Sequence, residues 1–174
     1  MRETRRGGRR APQRATIVPM SDVELDTAAS PDTTEEPPTR ALWAERTGTR
    51  AYTGRNARGA QVLVGDGEGE FTPGELLQLA LATCSSLSAD HRLAHALGTD
   101  FAALVGVANE KNQEENRYET LTVEIVTDLS ALDERTRTKT LERAELAIER
   151  QCTVGRTLDA GAPHTIIFTD EVAG

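Results

Sequence analysis

Apolar and polar positions change period several times along this chain, and each change marks an element. Residues 49–53 and 60–64 read as short strands, with Gly54-Arg55-Asn56-Ala57-Arg58-Gly59 as turn residues between them. Gly65-Asp66-Gly67-Glu68-Gly69 is a second turn. A helix follows with a clear start: Thr72 stands as N-cap, Pro73 as first helical residue, and Glu75 three positions after the cap completes a capping box. Gly98 supplies the stop after Leu97. Because residues 76–87 are apolar nearly all round, this helix is expected to be buried on most sides, by a second layer or a second subunit. Residues 101–107 and 120–127 predict two longer strands, with Leu121, Val123 and Ile125 on one face and a polar hairpin at residues 112–116. Residues 135–151 predict an amphipathic helix with Leu141, Leu146 and Ile148 on its apolar side, and residues 165–168 a final strand. The order is strands, helix, strands, helix, strand, which is an α+β class.

The first 41 residues break this pattern. They are rich in Arg, Pro, Thr, Asp and Glu, and a disordered tail is expected there, with one folded domain over residues 42–174. Residues 1–19 hold six arginines against Glu3 alone, so the remaining chain carries −13 of a total of −8. Met20-Ser21-Asp22 opens a stretch typical of a protein start, which suggests Met20 as the initiator and residues 1–19 as an over-extended reading frame. The acidic body argues against nucleic acid as a partner, because phosphate binding needs a basic surface. No window approaches the roughly 18 consecutive apolar residues of a membrane span, and no apolar segment follows the arginine-rich start, so a cytoplasmic protein is expected. Apolar residues make up 37% of the chain but aromatics only 3%, so the core must be built of Leu, Val and Ala.

The chain has two cysteines. Cys84 sits deep in the apolar helix; Cys152 falls just past the charged one. Two cysteines do not supply a four-cysteine zinc site, and in a reducing compartment an isolated pair is either inert packing or redox chemistry. A nucleophilic cysteine must ionise, and burying Cys84 among apolar groups would oppose that. A cation is therefore needed beside it. His91 and His95 share a helix face at a metal-compatible spacing, but His91 lies ~10.5 Å along the axis from Cys84, and both read as exposed helix-face side chains. No motif for a metal, flavin or haem is present, and no cofactor is expected.

Thr72-Pro73-Gly74-Glu75-Leu76-Leu77-Gln78-Leu79-Ala80-Leu81-Ala82-Thr83-Cys84 resembles the Pro-x-Glu-Leu-Leu…Ala-x-Cys helix of the OsmC/Ohr family of bacterial thiol peroxidases. Cys152-Thr153-Val154-Gly155-Arg156-Thr157-Leu158 resembles that family's Cys-Pro-Val-x-x-Thr-Leu. The similarity runs roughly over residues 49–171. It implies an intertwined homodimer with the central helices at the subunit contact, and a hydroperoxide reductase in which Cys84 attacks the peroxide and Cys152 closes a disulfide. It further implies a peroxide substrate and a dithiol reductant of lipoyl type or a small molecule. An arginine of the early strand–turn is implied to hold the Cys84 thiolate; Arg55 is the first choice and Arg58 the second. A glutamate near the helix start orients that arginine in the family, but Glu75 is already occupied by the capping box. Three positions depart from the pattern: Thr153 replaces the proline, Ser85 stands where the organic hydroperoxide branch has an aromatic, and Gly74 stands where many members have glutamate. The alternative is a non-catalytic dimer of the same fold that binds a small apolar ligand and whose thiols merely pack.

Overall fold

Three strands, β1 (Leu42–Gly48), β2 (Ala51–Asn56) and β3 (Gln61–Val64), pair antiparallel in sequence order in the computed structural model, which describes residues 42–169. β1 is an element the sequence reading did not assign. β2 begins and ends later than expected, so Gly54, Arg55 and Asn56 lie within a strand and not in a turn. The turn itself is built by Asn56, whose Oδ1 accepts from the N–H groups of Arg58 and Ala60 at 2.9 and 3.0 Å. Gly59 follows with a φ of 86°, a conformation that favours glycine.

The central helix α1 (Pro73–Leu97) starts with the expected capping box. Thr72 Oγ1 accepts from the Glu75 N–H at 3.2 Å, and Glu75 Oε2 accepts from the Thr72 N–H at 2.7 Å. The Thr72 N–H and the Thr72 hydroxyl, both donating to Glu75 Oε2, hold the Glu75 carboxylate below its ordinary range. β4 (Ala103–Asn112) and β5 (Arg117–Thr127) form a long antiparallel hairpin. Its turn is set by Asn112, whose side chain accepts from the N–H groups of Glu114 and Glu115. Alternate β5 residues Leu121, Val123 and Ile125 are the more shielded ones, as their spacing predicts.

α2 (Glu134–Gln151) crosses α1 where both carry small residues. Ala89, 0% exposed, meets Leu93 and Ala144, and Leu97, Phe101, Ile125 and Ile148 pack round them. The close fit of two alanines lets the backbones approach and brings the end of α2 onto the middle of α1. At Cys152 the backbone turns extended (φ −70°, ψ 93°) and a further helix, α3 (Thr153–Ala160), begins. That helix was not expected, since Thr153, Val154, Gly155 and Thr157 are weak helix formers.

One expectation is corrected. Residues 162–169 fall outside the unit formed by residues 42–161 and carry neither helix nor strand, so no strand spans 165–168. Alternation alone makes no strand; its N–H and C=O groups need a ladder partner. In the single chain α1 keeps apolar surface of the kind a second subunit was expected to cover: Leu77 and Leu79 are exposed, and Leu87 is 76% exposed. Among the described residues α2, α3 and the β4–β5 hairpin make its main contacts, while β1–β3 pack chiefly on one another. The tail assigned to residues 1–41 lies outside the described residues.

Candidate functional site

The close packing of α1 against α2 and α3 brings the two cysteines together. Cys84 is partly exposed on α1, whereas Cys152, at the junction of α2 and α3, is buried at 2% exposure. Cys152 is the N-cap of α3, and its sulfur accepts from the Gly155 N–H at 3.3 Å. Ser85 Oγ, also buried, lies 3.6 Å from the same sulfur. Cys84 and the Val154 N–H are near enough to act on the same thiol. Burial pushes the Cys152 thiol up, but the Gly155 N–H, Ser85, Cys84 and Val154 together outweigh it, so the thiol is held below the ordinary cysteine value. No disulfide joins the two cysteines in this structure.

Gly155 leaves the sulfur room at this junction. A Cβ there would stand 3.3 Å from Cys152 Sγ, a tight approach, and in ordinary contact with Leu81 Cδ1 at 3.7 Å.

A cavity of about 550 Å³ opens beside the Cys152 sulfur, between α1, β5 and the α2–α3 junction. That volume suits a small organic molecule. Leu77, Leu81 and Ser85, spaced four apart on α1, form one wall, and Leu121, Val123, Ile148 and Leu158 complete the apolar lining. Tyr118 stands near the start of α1, and Glu119, Glu149, Arg156 and Asp159 supply the charged groups. Cys152 lines this cavity; Cys84 does not.

The arginines are elsewhere. Arg55 Nε donates to Glu45 Oε2 at 3.0 Å across the β1–β2 ladder. Arg58 is exposed in the β2–β3 turn. No hydrogen bond joins either guanidinium to a sulfur among the described residues, so a single chain does not assemble the expected cysteine–arginine pair. The cation at the cavity is Arg156, whose Nη1 donates to the Arg150 carbonyl at 2.9 Å. His91 and His95 are exposed, as expected, beside Arg92, Thr140 and Arg143.

The sequence reading missed Ser85, Gly155, Arg156 and Tyr118. One signal for the first was available: Leu77, Leu81 and Ser85 repeat at the interval that lines one helix face, putting Ser85 on the cavity side and Cys84 about 100° round from it.

The family model described as OsmC-like protein matches residues 65–167. This chain belongs to the OsmC-like protein family. Uncharacterized proteins of Mycobacterium tuberculosis strain H37Rv and of Mycobacterium bovis are each 49% identical over 131 residues, covering 74% of this chain and 96% of their own length. Among solved structures, a hypothetical protein from Aquifex aeolicus VF5 aligns with a TM-score of 0.52 at 17% identity, over 74% of this chain and 92% of that one. An OsmC-like protein from Mycoplasma pneumoniae aligns with a TM-score of 0.50 at 12% identity, over 78% and 98%. These likenesses establish the α+β fold of the OsmC-like family. No helix among the described residues is long and apolar enough to cross a membrane.

Proposed function

We propose that this OsmC-like protein is a thiol-dependent hydroperoxide reductase of the cytoplasm that uses Cys84 and Cys152 as a redox pair. One observation carries the reading: two cysteines far apart in sequence come near each other where α1 packs on the α2–α3 junction, and the sulfur of Cys152, which lines an apolar cavity, is held by donors that favour its thiolate. The thiolate attacks the terminal peroxide oxygen; an S–O bond forms as the O–O bond breaks, and the alcohol leaves after taking a proton from water. The attacking sulfur becomes a sulfenic acid. The second thiol then displaces hydroxide, released as water, and an S–S bond forms. An external dithiol, of lipoyl type or a small molecule, reduces that disulfide by exchange.

The family resemblance assigns the first attack to Cys84, steadied by Arg55. Arg55 bonds to Glu45 within one chain, so this assignment calls for a homodimer whose second copy brings the guanidinium in; exposed Leu79 and Leu87 on α1 are apolar surface for such a copy to cover. A different order is favoured by the cavity. Cys152 lines it and accepts the Gly155 N–H, so Cys152 attacks first and Cys84 resolves.

Counting free thiols before and after one equivalent of cumene hydroperoxide tests the pair. Loss of both without an intermolecular crosslink supports the reductase; two unreactive thiols overturn it and leave a ligand-binding module. The single variants Cys84→Ser and Cys152→Ser then decide the order, because dimedone labels the cysteine that forms a sulfenate unaided.

A further inference from the structure

Tyr118 is seated in a notch that exists only because residue 74 is glycine. Its hydroxyl lies so close to Gly74 that an added Cβ would overlap Tyr118 Oη. Gln78 locks it there. The Gln78 carboxamide donates to Tyr118 Oη at 3.0 Å and to the Gly74 carbonyl at 3.1 Å, while its own oxygen accepts from Asn109 Nδ2 at 2.9 Å. Both amide protons of Gln78 are therefore used, and in its bond to Tyr118 the phenol oxygen is the acceptor. The phenol proton remains, and no acceptor among the described residues takes it. Tyr118 lines the cavity.

The cavity has two chemically different ends. Ser85 and Cys152 mark one, and Tyr118 marks the other beside the first turn of α1. From Leu77 to Ser85 the α1 wall extends ~12 Å along the helix axis, and between the two ends the lining is aliphatic. Glu119, Glu149 and Asp159 outnumber Arg156 among its charged groups, and Arg156 is already engaged with the Arg150 carbonyl. An anionic group is unwelcome there; a neutral oxygen is not.

We propose that Tyr118 is a specificity-determining hydrogen-bond donor, and that the cavity selects linear alkyl hydroperoxides carrying a neutral oxygen, such as a hydroxyl or ester carbonyl, at the end remote from the peroxide. The assignment rests on the hydroperoxide reading above. With the reacting oxygens at the sulfur end, the chain lies along Leu77 and Leu81 and its far oxygen accepts the phenol proton.

The test compares kcat/KM for decyl hydroperoxide and ω-hydroxydecyl hydroperoxide. The wild-type protein is expected to prefer the hydroxylated chain by about five- to tenfold, the value of one net hydrogen bond. Tyr118→Phe should bring that ratio to one or below. Gly74→Ala, which evicts the hydroxyl from its notch by a different route, should do the same. A preference that survives in Tyr118→Phe, or its absence from the wild type, overturns the proposal. If the wild-type protein consumes neither peroxide, the reductase reading has failed, and calorimetric binding of decanol and decane-α,ω-diol decides the Tyr118 assignment separately. A diol advantage abolished by Tyr118→Phe supports it; equal binding of the two alcohols by the wild type overturns it.

Discussion

Replacing Ser85 with alanine isolates one contribution to the Cys152 thiolate. Ser85 Oγ is 3.6 Å from the sulfur, both groups are buried, and the substitution removes one hydroxyl while leaving the helix and the Gly155 N–H bond in place. A hydrogen bond to a charged acceptor is worth about 1.5–3 kcal/mol, against about 1 kcal/mol for a neutral one. The difference, of order 1.4 kcal/mol, lowers the thiolate fraction at neutral pH about tenfold. The assay is the ultraviolet absorbance of the thiolate, titrated in a Cys84→Ser background so that one sulfur is observed. Ser85→Ala should move the transition to higher pH without changing its amplitude. Linkage gives a second readout. Because the folded protein holds the Cys152 thiol below its ordinary value, this group adds stability that is full above the unfolded-state pKa and is lost as pH falls through the folded-state value. Wild-type protein should therefore lose more stability than Ser85→Ala on acidification through that window. Superimposable titrations of the two proteins would refute the role given to Ser85.

Three further outcomes are expected. Gly155→Ala crowds Cys152 Sγ, so it should lower stability by about 1 kcal/mol, measured by denaturant melts, and slow disulfide formation after peroxide. Thr72→Ala removes the N-cap of α1 and should cost about 1 kcal/mol in the same melts with no change in thiol titration. Leu87→Glu places a charge on exposed apolar surface of α1; if a second copy covers that surface, sedimentation should show dissociation to single chains, and an unchanged mass would count against the dimer.

Local chemistry made much of this molecule legible in advance. The Thr72–Glu75 box and Gly98 bound α1 because the orphan N–H and C=O groups at helix ends are satisfied by residues a few positions away. The alternation of Leu121, Val123 and Ile125 likewise reports which side of β5 meets the helices, since side chains in a strand alternate whatever the fold. Other elements are the product of packing. α3 forms from weak helix formers because Cys152 caps it and it lies against α1. The 165–168 segment shows the converse, with strand-like residues and no ladder.

The sequence by itself determined the two cysteine-bearing motifs, the capped central helix and the resemblance to OsmC-like proteins, because each is written in residues adjacent along the chain. Only the tertiary structure decided that Cys84 and Cys152 are neighbours, that Ser85 and the start of α3 surround the second sulfur, and that Gly74 makes room for the Tyr118 hydroxyl. It also decided that Arg55 answers to Glu45 within one chain. The physical reason is range: caps and periodicities act over a few residues, whereas a sulfur's donors and a cavity's walls come from segments brought together when Ala89 and Ala144 let two helices close on each other.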